Sequence, residues 1–369
     1  MSNQTIISQK EKYLFTFKSK NDLEFGFRYG IPEDAGQIGE IFKDIYGWNY
    51  LYPKVYDPEQ LINEINDINQ TWFVVENIKS NEIVGTGVML RKSKISVCAS
   101  KTVILNKYQN YGIARVLGTQ SVLSFLSDPK LQDVIRLDTD VRANNLHSQK
   151  FAEKIRCIPY GFIPNYNNYG DKRNFKASNQ KSFTSGRIES VVMYFSPIKN
   201  FWKLRDRNIV LLDNENILKF YNLIKENIRR MNKDTILLHK SSNLTFNSYS
   251  IEEDHYKSII IIQGYLNQQN LKDILKRYSD WNVIEWRIPT TLQGLNSQEI
   301  ALKHSFKVVG YDPGSFIDKK SIHDTIVCCY FPNGVDFNQF KDINVADKNR
   351  LIVENVLESL KDFKINNIT

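Results

Sequence analysis

The amino-acid sequence predicts a mixed α/β protein, and three observations lead to this fold class. Short alternating or apolar segments, typical of strands, are interspersed with segments that have helical spacing. One predicted strand, ending near residue 105, runs directly into a glycine-bearing turn and then a helix. A helix–strand unit also occurs twice along the chain. With about 100–200 residues per domain, the 369 residues indicate about two domains.

The elements predicted for the first half follow the order β-α-α-β-β-β-α-β-α-β-β. Pro32 with the acidic residues after it is typical of the first turn of a helix. Later helices are predicted at 58–68, about 112–126 and 145–155. The predicted strands are 24–29, 71–76, 83–90, 100–105, 134–141, 158–163 and 188–195, with a further hairpin strand at 12–18. Residues 165–186 are predicted as a long polar loop.

The charge and composition of the sequence disfavour some classes of function and are compatible with others. The net charge is +8, but lysine and arginine are spread along the chain and mixed with acidic residues, so nucleic-acid binding is not the favoured interpretation. A basic surface also attracts an anionic cofactor that carries phosphates. No apolar run approaches the roughly 20 residues that span a bilayer, and residues 1–12 lack an apolar signal core. We therefore expect a cytoplasmic protein without membrane association.

The four cysteines indicate neither a disulfide framework nor a metal site. None of them forms a C-x-x-C pair, so no zinc ribbon or other metal centre is predicted. Cys328 and Cys329 are adjacent within an apolar stretch, which predicts buried thiols in a reducing compartment.

The segment from 103 to 117 has the strongest chemical signal. A strand stops, a tight turn follows, and a helix begins at once. The first amides of a helix have no partner within the helix, and with the helix dipole they favour an anion. Gly112 allows the backbone to approach a phosphate closely, and Ala114 is the next smallest residue. The turn therefore predicts a pyrophosphate site built from backbone N–H groups.

This segment resembles the GNAT N-acetyltransferase superfamily. The family motif, Q/R-x-x-G-x-G/A, is matched by Gln109, Gly112 and Ala114. Ile104 and Tyr108 occupy the flanking places of the motif. The helix start at Pro32 and the Asn145 helix are also similar to the family, so that the resemblance covers about Phe25 to Pro197.

The resemblance implies acetyl-CoA as the acyl donor and one coenzyme A site per chain. The pyrophosphate is expected on the amides of Gln109, Asn110, Tyr111, Gly112, Ile113 and Ala114, and Asn145 is included in the cofactor-binding set. Backbone at Val103 and Ile104 is expected to pair with the pantetheine arm like an added strand. The implied activity is direct transfer of an acetyl group to the amine of a small amino-acid-like molecule.

Two other functions remain open at the level of sequence. One is an acyltransferase that works with a phosphopantetheine thioester on an acyl carrier protein, for which a basic surface is suitable. The other is a non-catalytic CoA-binding protein. The latter is suggested because the place of the family's tyrosine acid falls near Ala152.

Candidate catalytic residues come from the neighbouring strands. Asp138 and Asp140 are two residues apart on one predicted strand and share a face, so either is a candidate base or a structural carboxylate. Tyr160, or a bound water, is the candidate substitute for the missing acid. The acceptor candidates are Tyr46, Trp48 and Tyr52, which could equally belong to the core.

An internal repeat organises the second half of the chain. Residues 148–164 and 297–313 share six identical positions at a constant offset of 149 residues. The second copy has no counterpart of the 109–114 motif, which predicts a degenerate GNAT-like domain. The predicted domains are an extension at 1–22, the acyltransferase domain at 23–198, the degenerate domain at 199–334, and a C-terminal segment at 335–369 with a helix at 347–363.

Overall fold

A computed structural model describes residues 12–174, 187–242, 244–318 and 321–361. It confirms the mixed α/β class. The chain forms two compact units, the first comprising residues 1–139 and 171–174, and the second comprising residues 140–170 and 175–369. In the described ranges, no helix combines the length and the apolar character needed to cross a membrane.

The first unit is a sheet covered by helices. Its strands are β1 (Phe15–Lys18), β2 (Glu24–Tyr29), β3 (Gln70–Asn77), β4 (Glu82–Arg91), β5 (Ser96–Ile104) and β6 (Arg136–Arg142), the last of which passes into the second unit. Its helices are α1 (Ala35–Tyr46), α2 (Pro58–Ile65) and α3 (Ile113–Ser127). The strands follow the order β1-β2-β3-β4-β5-β6, antiparallel except for the parallel pair β5–β6. The predicted order of elements is thus confirmed.

The second unit contains α4 (Leu146–Lys154), β7 (Ile158–Tyr169), β8 (Arg187–Pro197), α5 (Phe201–Leu204), β9 (Asn208–Leu212), α6 (Glu215–Asn227), β10 (Thr235–His239), β11 (Ser248–Asp254), β12 (Ile259–Tyr265), α7 (Gln268–Arg277), β13 (Val283–Pro289), α8 (Leu295–Lys303), β14 (Lys307–Asp318), β15 (Ser321–Tyr330) and α9 (Asp347–Ser359). Its main sheet has the order β8-β7-β14-β15-β13-β12-β11. Strands β9 and β10 form a separate parallel pair.

The repeated sequence folds into two matching helix–hairpin repeats. The first repeat is α4, β7 and β8, and the second repeat is α8, β14 and β15. The β7–β8 register shifts at 159/161 and 163/167, and the β14–β15 register shifts at 308/310 and 312/316. Each pair of shifts keeps the offset of 149 residues. Because bulges are specific features of a strand pair, this agreement supports duplication beyond the identical residues.

Equivalent glycines meet where the two repeats touch. Gly161 of β7 pairs with Gly310 of β14. A Cβ on Gly310 would lie 2.6 Å from the Tyr160 carbonyl oxygen, and one on Gly161 would lie 3.0 Å from the Val309 carbonyl oxygen. The close approach of the two backbones explains glycine at both positions.

Each repeat also binds the segment that follows the other repeat. We call residues 198–214, after β8, the first arm and residues 331–346, after β15, the second arm. In the first repeat, Gln149 donates to the Asn344 carbonyl at 3.1 Å and accepts from the Ala346 amide at 2.9 Å. In the second repeat, Gln298 makes the same two kinds of bond to the first arm, at 3.2 and 2.8 Å. The arms are therefore exchanged between the repeats.

The prediction of a polar loop from residue 165 is wrong for its first part, because β7 continues to Tyr169. Asn165, Asn167 and Asn168 are buried in this part of the strand. Asn165 donates to the Gly334 carbonyl at 2.9 Å and accepts from Gln339 at 2.6 Å, so distant partners satisfy its amide. Residues 175–186 of the predicted loop lie outside the described residues.

The C-terminal helix begins at Asp347 as predicted.

The predicted domain boundary at residue 198 divides the chain by its internal sequence repeat, whereas the compact units divide it by spatial proximity. Both hairpins fall into one unit because β7 pairs with β14 and the arms are exchanged. The domain boundaries inferred from the sequence remain a prediction.

Candidate functional site

The turn between β5 and α3 has the backbone that an anion site needs. Asn110 and Gly112 have positive φ angles of 69° and 84°. Gly112 is the N-cap of α3 and provides no side-chain hydrogen bond to the first amides of the helix. Gln109, Gly112 and Ala114 are exposed. The start of α3 therefore presents its amides to solvent, and an anionic group can approach them.

Side chains on either side hold this turn in place. The Asn106 amide donates to the Asp44 carboxylate of α1 at 2.8 Å. The Tyr108 hydroxyl donates to Glu82 of β4 at 2.8 Å, which gives the flanking tyrosine of the motif an anchoring role. A turn that is fixed in advance loses little conformational entropy when a ligand binds.

Two glycines of β4 bring α3 close to the sheet. A Cβ on Gly85 would lie 3.1 Å from Ile113, and a Cβ on Gly87 would lie 3.5 Å from Leu117. Ile113 and Leu117 are buried on the inner face of α3. The first turn of α3 is thus seated directly beside the end of β5.

Strand β5 continues beyond its ladder with the parallel strand β6. The ladder with β6 runs from the pair Ser96–Arg136 to the pair Cys98–Asp138. Strand β5 then continues to Ile104, and among the described strands none pairs with it on that side. Val103 and Ile104 lie in this part, opposite Thr86 and Gly85 on β4. The edge of β5 that leads to the α3 turn can accept an added strand-like ligand.

Asp138 lies where β5 and β6 separate. Its carboxylate accepts from Arg136 Nε at 2.7 Å, and its side chain is 22% exposed. It is thus both held in place and reachable. Asp140 faces Lys257 Nζ at 3.4 Å within the second unit.

Tyr160 and Asn145, which were also predicted as site residues, lie in the second unit. Tyr160 is buried in the core of the second unit, where its ring contacts Phe195. Asn145 is the N-cap of α4, and its side-chain oxygen accepts from the Ser148 amide at 3.1 Å. Their assignments to catalysis and cofactor binding remain predictions.

The aromatic acceptor candidates belong partly to the core. Tyr46 and Tyr52 are half-buried and pack against the hydrophobic cluster under α1. Trp48 is 38% exposed, with the Lys43 ammonium and the Arg173 guanidinium over its ring at 5.1 and 4.4 Å. Of the three, Trp48 offers the most accessible ring.

Lys101 is a feature of the site that sequence reasoning missed. It has a positive φ of 52° in β5, and its ammonium forms an ion pair with Glu64 of α2. Burial lowers the pKa of Lys101, although the Glu64 carboxylate acts in the opposite direction. A lysine within an otherwise weakly charged strand was the available sequence signal.

In the described part of the predicted degenerate domain (199–334), the helix that follows β12 does not have an open start. Helix α7, which follows β12, has Asn267 as its N-cap, and the Asn267 side chain accepts from the Asn270 amide at 2.8 Å. The preceding Leu266 amide donates to Ser297. Side chains of the protein therefore occupy the place that remains open at Gly112.

Comparisons with known proteins give matches at the level of solved structures. No family model matches the sequence, and no curated protein matches it. The ribosomal-protein-S5-alanine acetyltransferase from Vibrio fischeri is 15% identical and covers 50% of this chain and 98% of its own, with a TM-score of 0.39. The spermidine/spermine N-acetyltransferase from Vibrio cholerae is 17% identical and covers 48% and 95%, with a TM-score of 0.36. The ribosomal-protein-S18-alanine N-acetyltransferase from Escherichia coli is 14% identical and covers 47% and 94%, with a TM-score of 0.36. By their names, all three of these solved structures are acetyltransferases.

Proposed function

We propose that the protein is an acyl-CoA-dependent N-acyltransferase that uses acetyl-CoA and binds it along β5 and the α3 turn. The observation that carries the proposal is the uncapped start of α3 at Gly112, exposed at the end of a strand whose edge beyond Cys98 pairs with none of the described strands. The motif Gln109–Ala114 provides the amides for a pyrophosphate. The free edge at Val103 and Ile104 provides backbone groups for a pantetheine arm.

The chemistry that acetyl-CoA supplies is an acyl group activated as a thioester. The protein must hold an amine next to it and remove a proton from that amine. Asp138 is the proposed base, because it is reachable and lies where β5 and β6 separate. Trp48 and Tyr52 are proposed to line the acceptor site, together with Tyr46. The acceptor class we propose is a small amine.

Isothermal titration of the full chain with acetyl-CoA tests the cofactor site. We expect binding at sub-millimolar concentration, and Gly112→Glu should abolish it because a bulky anion would then occupy the turn. Gly47→Glu is the matched control. Gly47 is likewise exposed with a positive φ of 57° and open space around it, but it ends α1. No binding by the wild type, or equal binding by both variants, would contradict the proposal.

Transfer itself is tested with a broad panel of amines and acetyl-CoA. We expect Asp138→Asn to lower kcat by about 10²–10⁴-fold while acetyl-CoA binding is kept, as is typical for loss of a general base. Binding without turnover on every amine would instead favour the non-catalytic CoA-binding protein. Turnover only with an acyl carrier protein would favour the carrier-linked enzyme.

A further inference from the structure

Strand β5 contains a bulge within the edge that pairs with no described strand, just before Val103 and Ile104. Lys101 and Thr102 together lie opposite Gly87, because the register shifts between the pairs Val88–Ser100 and Thr86–Val103. Lys101 carries the positive φ of 52°, which is uncommon for a residue with a side chain. Such a conformation persists only when its surroundings hold it. The contacts of Lys101 are therefore the determinants of this bulge.

Those contacts come from another part of the first unit. The Lys101 ammonium pairs with the Glu64 carboxylate, and it lies 3.3 Å from Gln70 Oε1 and 4.9 Å from the centre of the Trp72 ring. The side chains of Lys101 and Glu64 are only 9% and 14% exposed. Separating a pair this buried is unfavourable, because each charge would then be left buried without a compensating partner.

The bulge decides which backbone groups point to the free edge. An extra residue in a strand reverses the alternation of the residues that follow it, here Val103 and Ile104. These are the residues proposed to pair with the pantetheine arm. We propose that the Lys101–Glu64 ion pair is a positioning device that aims the edge of β5 at the pantetheine arm. This inference rests on the proposed function.

Two probes separate the two halves of the cofactor site. Acetyl-CoA contacts both the α3 turn and the β5 edge, whereas 3′-phospho-ADP, the nucleotide half of CoA, has no pantetheine. For Lys101→Met, we expect the Kd of acetyl-CoA to rise about tenfold and the Kd of 3′-phospho-ADP to stay within about twofold. Gly112→Glu should weaken both probes.

A double variant distinguishes positioning from a purely structural role. Lys101→Met with Glu64→Met removes both buried charges, so its stability should recover relative to Lys101→Met. We expect its acetyl-CoA affinity to stay low, because the ion pair that holds Lys101 in the bulge is then absent. Recovery of affinity together with stability would overturn the inference, as would an unchanged ratio of the two Kd values in Lys101→Met. If the wild type binds neither probe, the proposed function fails, and this inference fails with it.

Discussion

At the scale of single residues, a buried charge network holds the start of α1 to the sheet. Arg28 of β2 donates to Asp34 at 2.7 Å and to Glu76 of β3 at 2.8 Å. Glu76 also accepts from Lys12 and Tyr13. Burial by itself raises the pKa of Glu76, but the hydrogen bonds from these neighbours outweigh it and leave the pKa below its usual value. The carboxylate is therefore favoured in the folded state.

We expect Glu76→Gln to lower the free energy of unfolding by about 3–5 kcal/mol at neutral pH, because Arg28 and Lys12 lose a buried partner. Since the folded pKa of Glu76 is lowered from 4.5, its contribution is fully present above that unfolded value and is lost as the pH falls through the folded value. Urea unfolding between neutral and acidic pH measures both effects, and the variant should show a weaker acid dependence.

Glu24→Gln is the control for this experiment. Glu24 pairs with Lys18, but its side chain is 55% exposed. An exposed pair contributes about 0–1 kcal/mol, so the variant should unfold nearly as the wild type does. Similar losses in the two variants would argue against a special role for the Glu76 network.

The adjacent cysteines of β15 give a second test at this scale. Burial raises the pKa of Cys328 to about 12, and it also raises that of Cys329. Because the thiolate is the reactive form, iodoacetamide at pH 8 should label neither thiol in the native protein. Labelling of both after unfolding in urea, read by peptide mass spectrometry, is the positive control. Fast native labelling would contradict their burial.

At the scale of elements, equivalent glutamines hold the exchanged arms. Gln149 and Gln298 are almost fully buried, at 0% and 1% exposure. Replacing either by leucine keeps the volume but leaves backbone groups of the bound arm without their partner, at about 1–3 kcal/mol per group. We expect faster amide exchange at Ala346 in Gln149→Leu and at Leu212 in Gln298→Leu, measured by hydrogen exchange.

The matched control is Gln269→Leu on α7. Gln269 is exposed and bonds to Asp273 one helical turn away. This variant should leave exchange at both arms unchanged. If Gln149→Leu affected the first arm rather than the second, the exchange of arms between repeats would be wrong.

At the scale of the whole molecule, the two repeats of the second unit should unfold together. They meet at Gly161 and Gly310, and each binds the arm of the other. Opening one repeat therefore exposes surface of its partner. We expect amides of β8 and β15 to exchange with the same opening free energy under native conditions. A markedly lower value for one hairpin would show that the repeats are independent.

The sequence by itself determined the features that depend on neighbouring residues. The strand, Gly112 turn and α3 follow one another within a few residues, so local patterns predicted both the order of elements and the strand–turn–helix segment where we propose the cofactor site. The repeat was also visible, because the two copies keep identical residues at one offset.

Only the tertiary structure decided the features that join distant residues. Glu64 and Lys101 are 37 positions apart, and Asn165 and Gln339 are 174 apart. No local pattern predicts such pairs, and so the bulge of β5 and the extension of β7 through buried asparagines were missed. The exchange of arms was hidden for the same reason, since Gln149 and Ala346 are 197 positions apart. These long-range pairs form because buried charges and amides need hydrogen-bonding partners, and only the folded chain brings those partners together.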